Sequence, residues 1–297
     1  FEPTECQFDV PDDLVIDFGF VTVPENRANP ENDNTLRLAV AVVRTQSDTP
    51  QPDPIIYLDG GPGGQTIGGM PELYVNQFAP FADADRDIIF FDQRGIGFSE
   101  PNLFCQELVD LDLELLENPV SDVESNELFF NSAFSCRAQY IAAGIDLSAF
   151  NTTENAADVD AIREALGYDQ LNLLGISYGS LLAQVVMRDF EENIRSVVLD
   201  GVVDPAAIQF SVAGQINQLQ NAFDTLFAAC ANDPACNEAY PNLEELTFAL
   251  ADAWNENPTE VEIELQDGTT YNAVIDGADA LRTIVLLFYI TDAAPII

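Results

Sequence analysis

Short, nearly unbroken apolar runs alternate with amphipathic stretches along this chain, and the two patterns predict different elements. Leu14 to Val23 is apolar and β-branched and ends at Pro24; after the polar turn Glu25 to Asn34, Leu36 to Arg44 repeats the pattern. That spacing predicts a two-stranded hairpin at a sheet edge. Ile55 to Leu58, Asp87 to Phe91, Leu171 to Leu174 and Ser196 to Leu199 are four further runs of the kind that parallel strands buried on both faces carry. Ala156 to Leu166 has helical spacing, opens behind Asn151-Thr152-Thr153-Glu154 and ends at Gly167, a capped start and a glycine stop. Tyr178 to Phe190 is a second helix, beginning directly after the third of these runs. Strands alternating with helices predict an α/β fold, a mostly parallel sheet with crossover connections and flanking helices.

Beyond Pro205 the pattern changes. Ile208 to Cys230, Leu243 to Trp254 and Ala278 to Ile290 have amphipathic helical spacing, and Val261 to Leu265 with Thr270 to Val274 flank the hairpin signal Gln266-Asp267-Gly268-Thr269. The expected division is therefore a core part, residues 1–204, and a mainly helical insertion, residues 205–297. No internal repeat or low-complexity stretch interrupts it.

Charge narrows the partners. The 297 residues include 51 acidic and 10 basic ones, a formal net charge of −41, with no lysine and no histidine. Nucleic acid is excluded as a partner, because a phosphate backbone needs clustered cations. The carboxylates fit solubility in saline surroundings, or steering of cationic substrates. No apolar stretch is long enough to span a bilayer. No basic region followed by an apolar one marks a signal peptide, and Phe1 in place of Met points to a mature form or an excised fragment.

Five cysteines, at 6, 105, 136, 230 and 236, form no Cys-x-x-Cys pair, so neither a zinc site nor another metal site is expected, and no cofactor is called for. Cys230 and Cys236 flank a turn-rich spacer that a disulfide could close, and Cys105 with Cys136 would close a longer loop. Such bridges contribute roughly 2–3 and 3–4 kcal/mol by chain-entropy reasoning. They imply an oxidising compartment, periplasmic or exterior, and leave Cys6 over.

Gly175-Ile176-Ser177-Tyr178-Gly179 follows an apolar strand and opens a helix, the context in which Gly-x-Ser-x-Gly becomes a nucleophile elbow with Ser177 lifted clear of the backbone. Gly60-Gly61-Pro62-Gly63-Gly64 follows an earlier strand. Backbone N–H groups aimed at a developing oxyanion contribute roughly 3–4 kcal/mol each, so Gly61 and Tyr178 are the expected oxyanion-hole donors. The phosphate-loop alternative lacks its Gly-Lys signature. Asp92-Gln93-Arg94-Gly95-Ile96-Gly97-Phe98-Ser99 ends the next strand, and Arg94 among so many carboxylates is expected to fix that loop through a buried ion pair.

In order and spacing, Gly-Gly-Pro-Gly-Gly, Asp-Gln-Arg-Gly-x-Gly-x-Ser, Gly-Ile-Ser-Tyr-Gly-Ser and Leu199-Asp200-Gly201-Val202 resemble the proline iminopeptidase and tripeptidyl-aminopeptidase-like branch of the α/β-hydrolases, from about Phe18 to Pro205. The resemblance implies a Ser-Asp-His triad with Ser177 as nucleophile, a helical cap over the site, peptide substrates with free N-termini, and Cys105–Cys136 and Cys230–Cys236 as the bridges of secreted members. Asp59 stands where many members have a histidine, and Phe18 where secreted members often have a cysteine. The family's acid and histidine come after the cap, as do the last two core strands, so this chain is expected to end before them. Their place would be a missing C-terminal segment or a second chain, and the chain alone is expected to be inactive, since serine is a poor nucleophile without an adjacent base. An esterase or lipase on the same apparatus and a non-catalytic binding module are the alternative readings.

Overall fold

Burial follows the apolar runs closely. The computed structural model describes residues 1–12, 14–29, 31–74, 78, 85–206, 212–265 and 268–289. They cluster into two units, one of Phe1–Phe104 with Arg137–Pro205 and one of Cys105–Cys136 with Ala206–Ile297.

The first unit is built on strands β1 (Glu2–Thr4), β2 (Ile16–Pro24), β3 (Thr35–Val43), β4 (Ile55–Leu58), β5 (Ile88–Phe91), β6 (Leu171–Ile176) and β7 (Ile194–Asp200), in the order β1-β2-β3-β5-β4-β6-β7. β4 pairs in parallel with both β5 and β6, and β6 with β7, whereas β1, β2 and β3 join by antiparallel pairings. β2, β4, β5, β6 and β7 thus run in one direction, a mixed and mostly parallel sheet. The hairpin β2–β3 is not the sheet edge expected of it, because β1, too short to show in the sequence pattern, pairs outside it. All four residues of β4 and of β5 are buried.

Alternation along these strands feeds two cores. Ile56, Leu58, Ile89, Phe91, Leu171 and Leu173 pack with Val159, Ile162, Leu182 and Val186 of helices α4 (Thr152–Leu166) and α5 (Tyr178–Asp189). Ile55, Tyr57, Ile88 and Phe90 pack on the other face with Ile67 and Met70 of helix α1 (Thr66–Leu73). The start of α4 is capped as its sequence predicts, with the Asn151 side chain accepting from the Glu154 N–H, and it ends at Gly167 in the left-handed region.

Strand order decides where a site can form. The chain leaves β4 for β5 on one side and returns through β6 on the other, so connections diverge between β4 and β6, the kind of switch point at whose C-terminal strand ends α/β sheets place their sites. Leu58 and Gly175 are the last paired residues, so the segments after them face each other.

A buried ion cluster locks the loop after β5 to α4. Arg94, fully buried, donates to both oxygens of equally buried Asp158 (2.7 and 2.8 Å) and to the carbonyls of Glu25 and Ala149 (2.6 and 2.8 Å). Arg27 adds ion pairs to Glu154 (2.7 Å) and Asp158 (2.8 Å).

The second unit is mainly helical: α2 (Gln106–Glu117), most of α3 (Asp122–Ala142), α6 (Val212–Asn232), α7 (Pro234–Ala239), α8 (Leu243–Glu256) and α9 (Gly277–Leu287), with a hairpin β8 (Thr259–Glu264) and β9 (Thr270–Ile275). Cys105–Cys136 and Cys230–Cys236 are bridged, with Cα separations of 5.8 and 5.1 Å, and Cys6 is free. The expected helix start at Ile208, the turn residues Gln266 and Asp267 and the helix end at Ile290 lie outside the described residues. Among the described residues no helix is long and apolar enough to cross a membrane.

Removing Arg94 leaves the buried Asp158 carboxylate with only the partly exposed Arg27 to offset its charge. Arg94→Met is expected to lower the free energy of unfolding in denaturant titration by about 3–5 kcal/mol; a loss under about 1 kcal/mol, the range of exposed pairs, would contradict the role assigned to it.

Candidate active site

β6 is buried until its final residues, and the chain then turns sharply into α5 at Ser177. Ser177 has φ 54° and ψ −120°, a conformation that L-residues seldom adopt and that costs on the order of 1–3 kcal/mol. Hydrogen bonds on both sides hold it there. The Ser177 N–H donates to the Asp200 carbonyl of β7 (2.9 Å), and the Ser177 carbonyl accepts from the N–H and Oγ of Ser180 (2.9 and 2.6 Å). Ser180 Oγ in turn accepts from the Val203 N–H (2.8 Å).

The two flanking glycines are steric necessities. A methyl group on Gly175 would strike the Gly179 carbonyl, and one on Gly179 would strike the Leu58 carbonyl at the end of β4. The outcome is an exposed serine side chain at the N-terminal end of α5, whose first N–H groups have no intrahelical partners.

The glycine loop lies opposite. A methyl on Gly60 would sit 3.2 Å from Ser177 Cβ and 3.6 Å from its Oγ, so Gly60 faces the serine side chain with room for little more than its own hydrogen. Gly61 and Gly63 follow at φ 109° and 113°, values that favour glycine. The loop is anchored at its far end by Asp92, at the end of β5: its Oδ1 accepts from the N–H groups of Thr66 (2.8 Å) and Ile67 (3.0 Å), capping α1 from a distant strand, and its Oδ2 accepts from Phe98 (2.8 Å). Burial pushes the Asp92 carboxyl above its ordinary value, with those three N–H groups pulling it back and the charge of Asp59 adding to the rise.

A family model for the alpha/beta hydrolase fold matches residues 53–274. The chain belongs to the α/β-hydrolase family. Among its relatives, a tripeptidyl aminopeptidase of Streptomyces lividans is 30% identical over 247 residues, 80% of this chain and 45% of its own length. Serine protease Hip1 of Mycobacterium tuberculosis (strain H37Rv) is 30% identical over 226 residues, 73% of this chain and 42% of its own. A carboxylesterase B of Mycobacterium tuberculosis (strain CDC 1551) is 32% identical over 209 residues, 66% and 39%. The chain thus spans less than half the length of these relatives.

Of the residues singled out in the sequence, Ser177 and Tyr178 are joined at the strand-to-helix turn, and Gly61 lies in the facing loop one residue beyond Gly60, whose added methyl would meet Ser177. Sequence reasoning missed the anchoring carboxylates of Asp59 and Asp92. The only local signal for Asp92 was its place at a strand end; the capped N–H groups lie 25 and 26 residues away. Among the described residues the one group of Cys, Asp or Glu close enough to hold an ion is Cys105, Glu107 and Cys136, whose two sulfurs are already joined in a disulfide.

The strain at position 177 has a measurable consequence. Ser177→Gly is expected to stabilise the fold by about 1 kcal/mol, because glycine adopts positive φ without the penalty. Ser177→Ala, which keeps the Cβ, should give no such gain. A fall in thermal midpoint for Ser177→Gly would contradict strain at the elbow.

Proposed function

We propose that the protein is a serine peptidase of the aminopeptidase kind, releasing residues or short peptides from free N-termini through an acyl-enzyme on Ser177. The observation that carries this reading is an exposed seryl oxygen, on a strained strand-to-helix turn, within 3.6 Å of where a Gly60 side chain would begin. In the proposed reaction Oγ adds to the scissile carbonyl and gives its proton to a base. The carbonyl oxygen takes the negative charge, facing the N–H groups of Gly61 and Tyr178. The C–N bond then breaks as the amine leaves with a proton, and water repeats the sequence to free the acid.

The base and its orienting acid are assigned to polypeptide beyond this chain, which contains no histidine. The relatives' greater length supports that assignment, and so does the edge position of β7, where Val198 is 57% exposed on a strand type that is ordinarily covered. The two disulfides support an oxidising, periplasmic or secreted location. A second reading, ester hydrolysis on the same apparatus, draws support from the likeness to carboxylesterase B.

The test uses the protein expressed from its complete coding sequence. A fluorophosphonate probe is expected to label Ser177 and to lose its target in Ser177→Ala. Peptide p-nitroanilides with free N-termini should be cleaved at least about a hundredfold better than N-acetylated ones, the cost of leaving a buried ammonium-binding group unpaired. Equal turnover of blocked peptides and simple esters would favour the esterase reading, and absence of labelling would reject both.

A further inference from the structure

The carboxylate of Asp59 is folded into the glycine loop. Its Oδ1 accepts from the Gly60 N–H (2.7 Å) and the Tyr57 hydroxyl (2.9 Å), and its Oδ2 accepts from the Thr66 hydroxyl (3.1 Å). Gly64 closes over it so tightly that a methyl there would fall 2.6 Å from Oδ2. Its main-chain carbonyl accepts from Gln93 Nε2 (3.4 Å), and Gln93 Oε1 accepts from buried Asn155 (3.1 Å). These partners sit on fixed ground: Tyr57 in β4, Thr66 at the start of α1, Asn155 in α4.

A loop with glycines at 60, 61, 63 and 64 has few side chains with which to hold itself, and glycine gives up more conformational freedom on ordering than other residues. Within it the Gly64 N–H reaches the Gly60 carbonyl at 3.3 Å. The firm anchor is the Asp59 carboxylate, whose charge also strengthens each bond it accepts. It binds the N–H of Gly60, the loop residue that faces Ser177, so that N–H is turned into the loop and is not offered to a substrate.

We infer that Asp59 is a positioning residue for the acyl-transfer site: by holding the Gly60 N–H, Tyr57 and Thr66 together it presets the glycine loop so that the Gly61 N–H faces the oxygen of a group bound on Ser177. This rests on the serine-hydrolase reading above and adds to it the residue that sets its loop. The side chain touches no reacting atom; it acts through Gly60 and Gly61.

The experiment compares Asp59→Ala and Asp59→Asn in the protein expressed from its complete coding sequence, by hydrogen–deuterium exchange of segment 58–66 and by the rate of fluorophosphonate labelling. Asparagine keeps an acceptor for Gly60 and Tyr57 and can donate to the Thr66 oxygen. Asp59→Ala is expected to speed exchange in 58–66 by about tenfold, leaving β6 and α5 protected, and to slow labelling by about tenfold. Asp59→Asn should hold both within about threefold of the parent. Unchanged exchange and labelling in Asp59→Ala would overturn the inference, as would Asp59→Asn behaving like alanine. If Ser177 is unlabelled in the parent as well, the hydrolase reading fails, whereas the exchange data still decide whether Asp59 holds the loop.

Discussion

The arrangement depends on one close approach, the contact of the α5 N-terminus with the end of β4 at Gly179 and the Leu58 carbonyl. No side chain fits there, nor at Gly175 against the Gly179 carbonyl. Because helix and strand meet backbone to backbone, the residue between β6 and α5 must turn within a single position, and Ser177 takes the strain. The same contact brings the loop after β4 against the serine. The exposed serine and the backbone facing it are therefore consequences of a single packing constraint, set where the strand order diverges.

Electrostatics supports that geometry with few cations. Arg94 and Arg27 are committed to Asp158 and Glu154, Arg44 to Asp17 and Asp87, and Arg86 with Arg195 to Asp53. Among the described residues no arginine pairs with Asp59 or Asp92 at the site. Asp92 and Asp59 hold the loops by accepting backbone and hydroxyl hydrogens, a means open to a chain rich in carboxylates. The main cost is desolvation, visible in the upward displacement of the Asp92 carboxyl, and the N–H groups converging on it offset part of that cost.

Much of this was legible in the sequence, where local physics and tertiary structure agree. β4 and β5 follow the apolar runs because both faces are buried, and α4 lies between its asparagine cap and its glycine stop. The elbow was readable because its glycines and serine are contiguous. α1 was not, since Gly68, Gly69 and Pro71 erase its helical signal, and its cap comes from Asp92 on another strand. α3 was missed because its apolar residues are split between two faces, Val123, Phe130 and Phe134 on one and Phe129 with Cys136 on another, with polar residues between them. The clustering of Cys105–Cys136 with the residues after Ala206 is likewise invisible along the chain, being a fact of contacts and not of patterning. Asp59 reads as a polar residue at a strand end; only its three hydrogen bonds show what it holds.

The most direct test of the central claim is a crystal structure of the protein, expressed from its complete coding sequence, after phosphonylation. Phosphorus is expected on Ser177 Oγ, with the phosphoryl oxygen about 3 Å from the Gly61 and Tyr178 nitrogens. A phosphoryl oxygen turned to solvent, away from both, would contradict that claim.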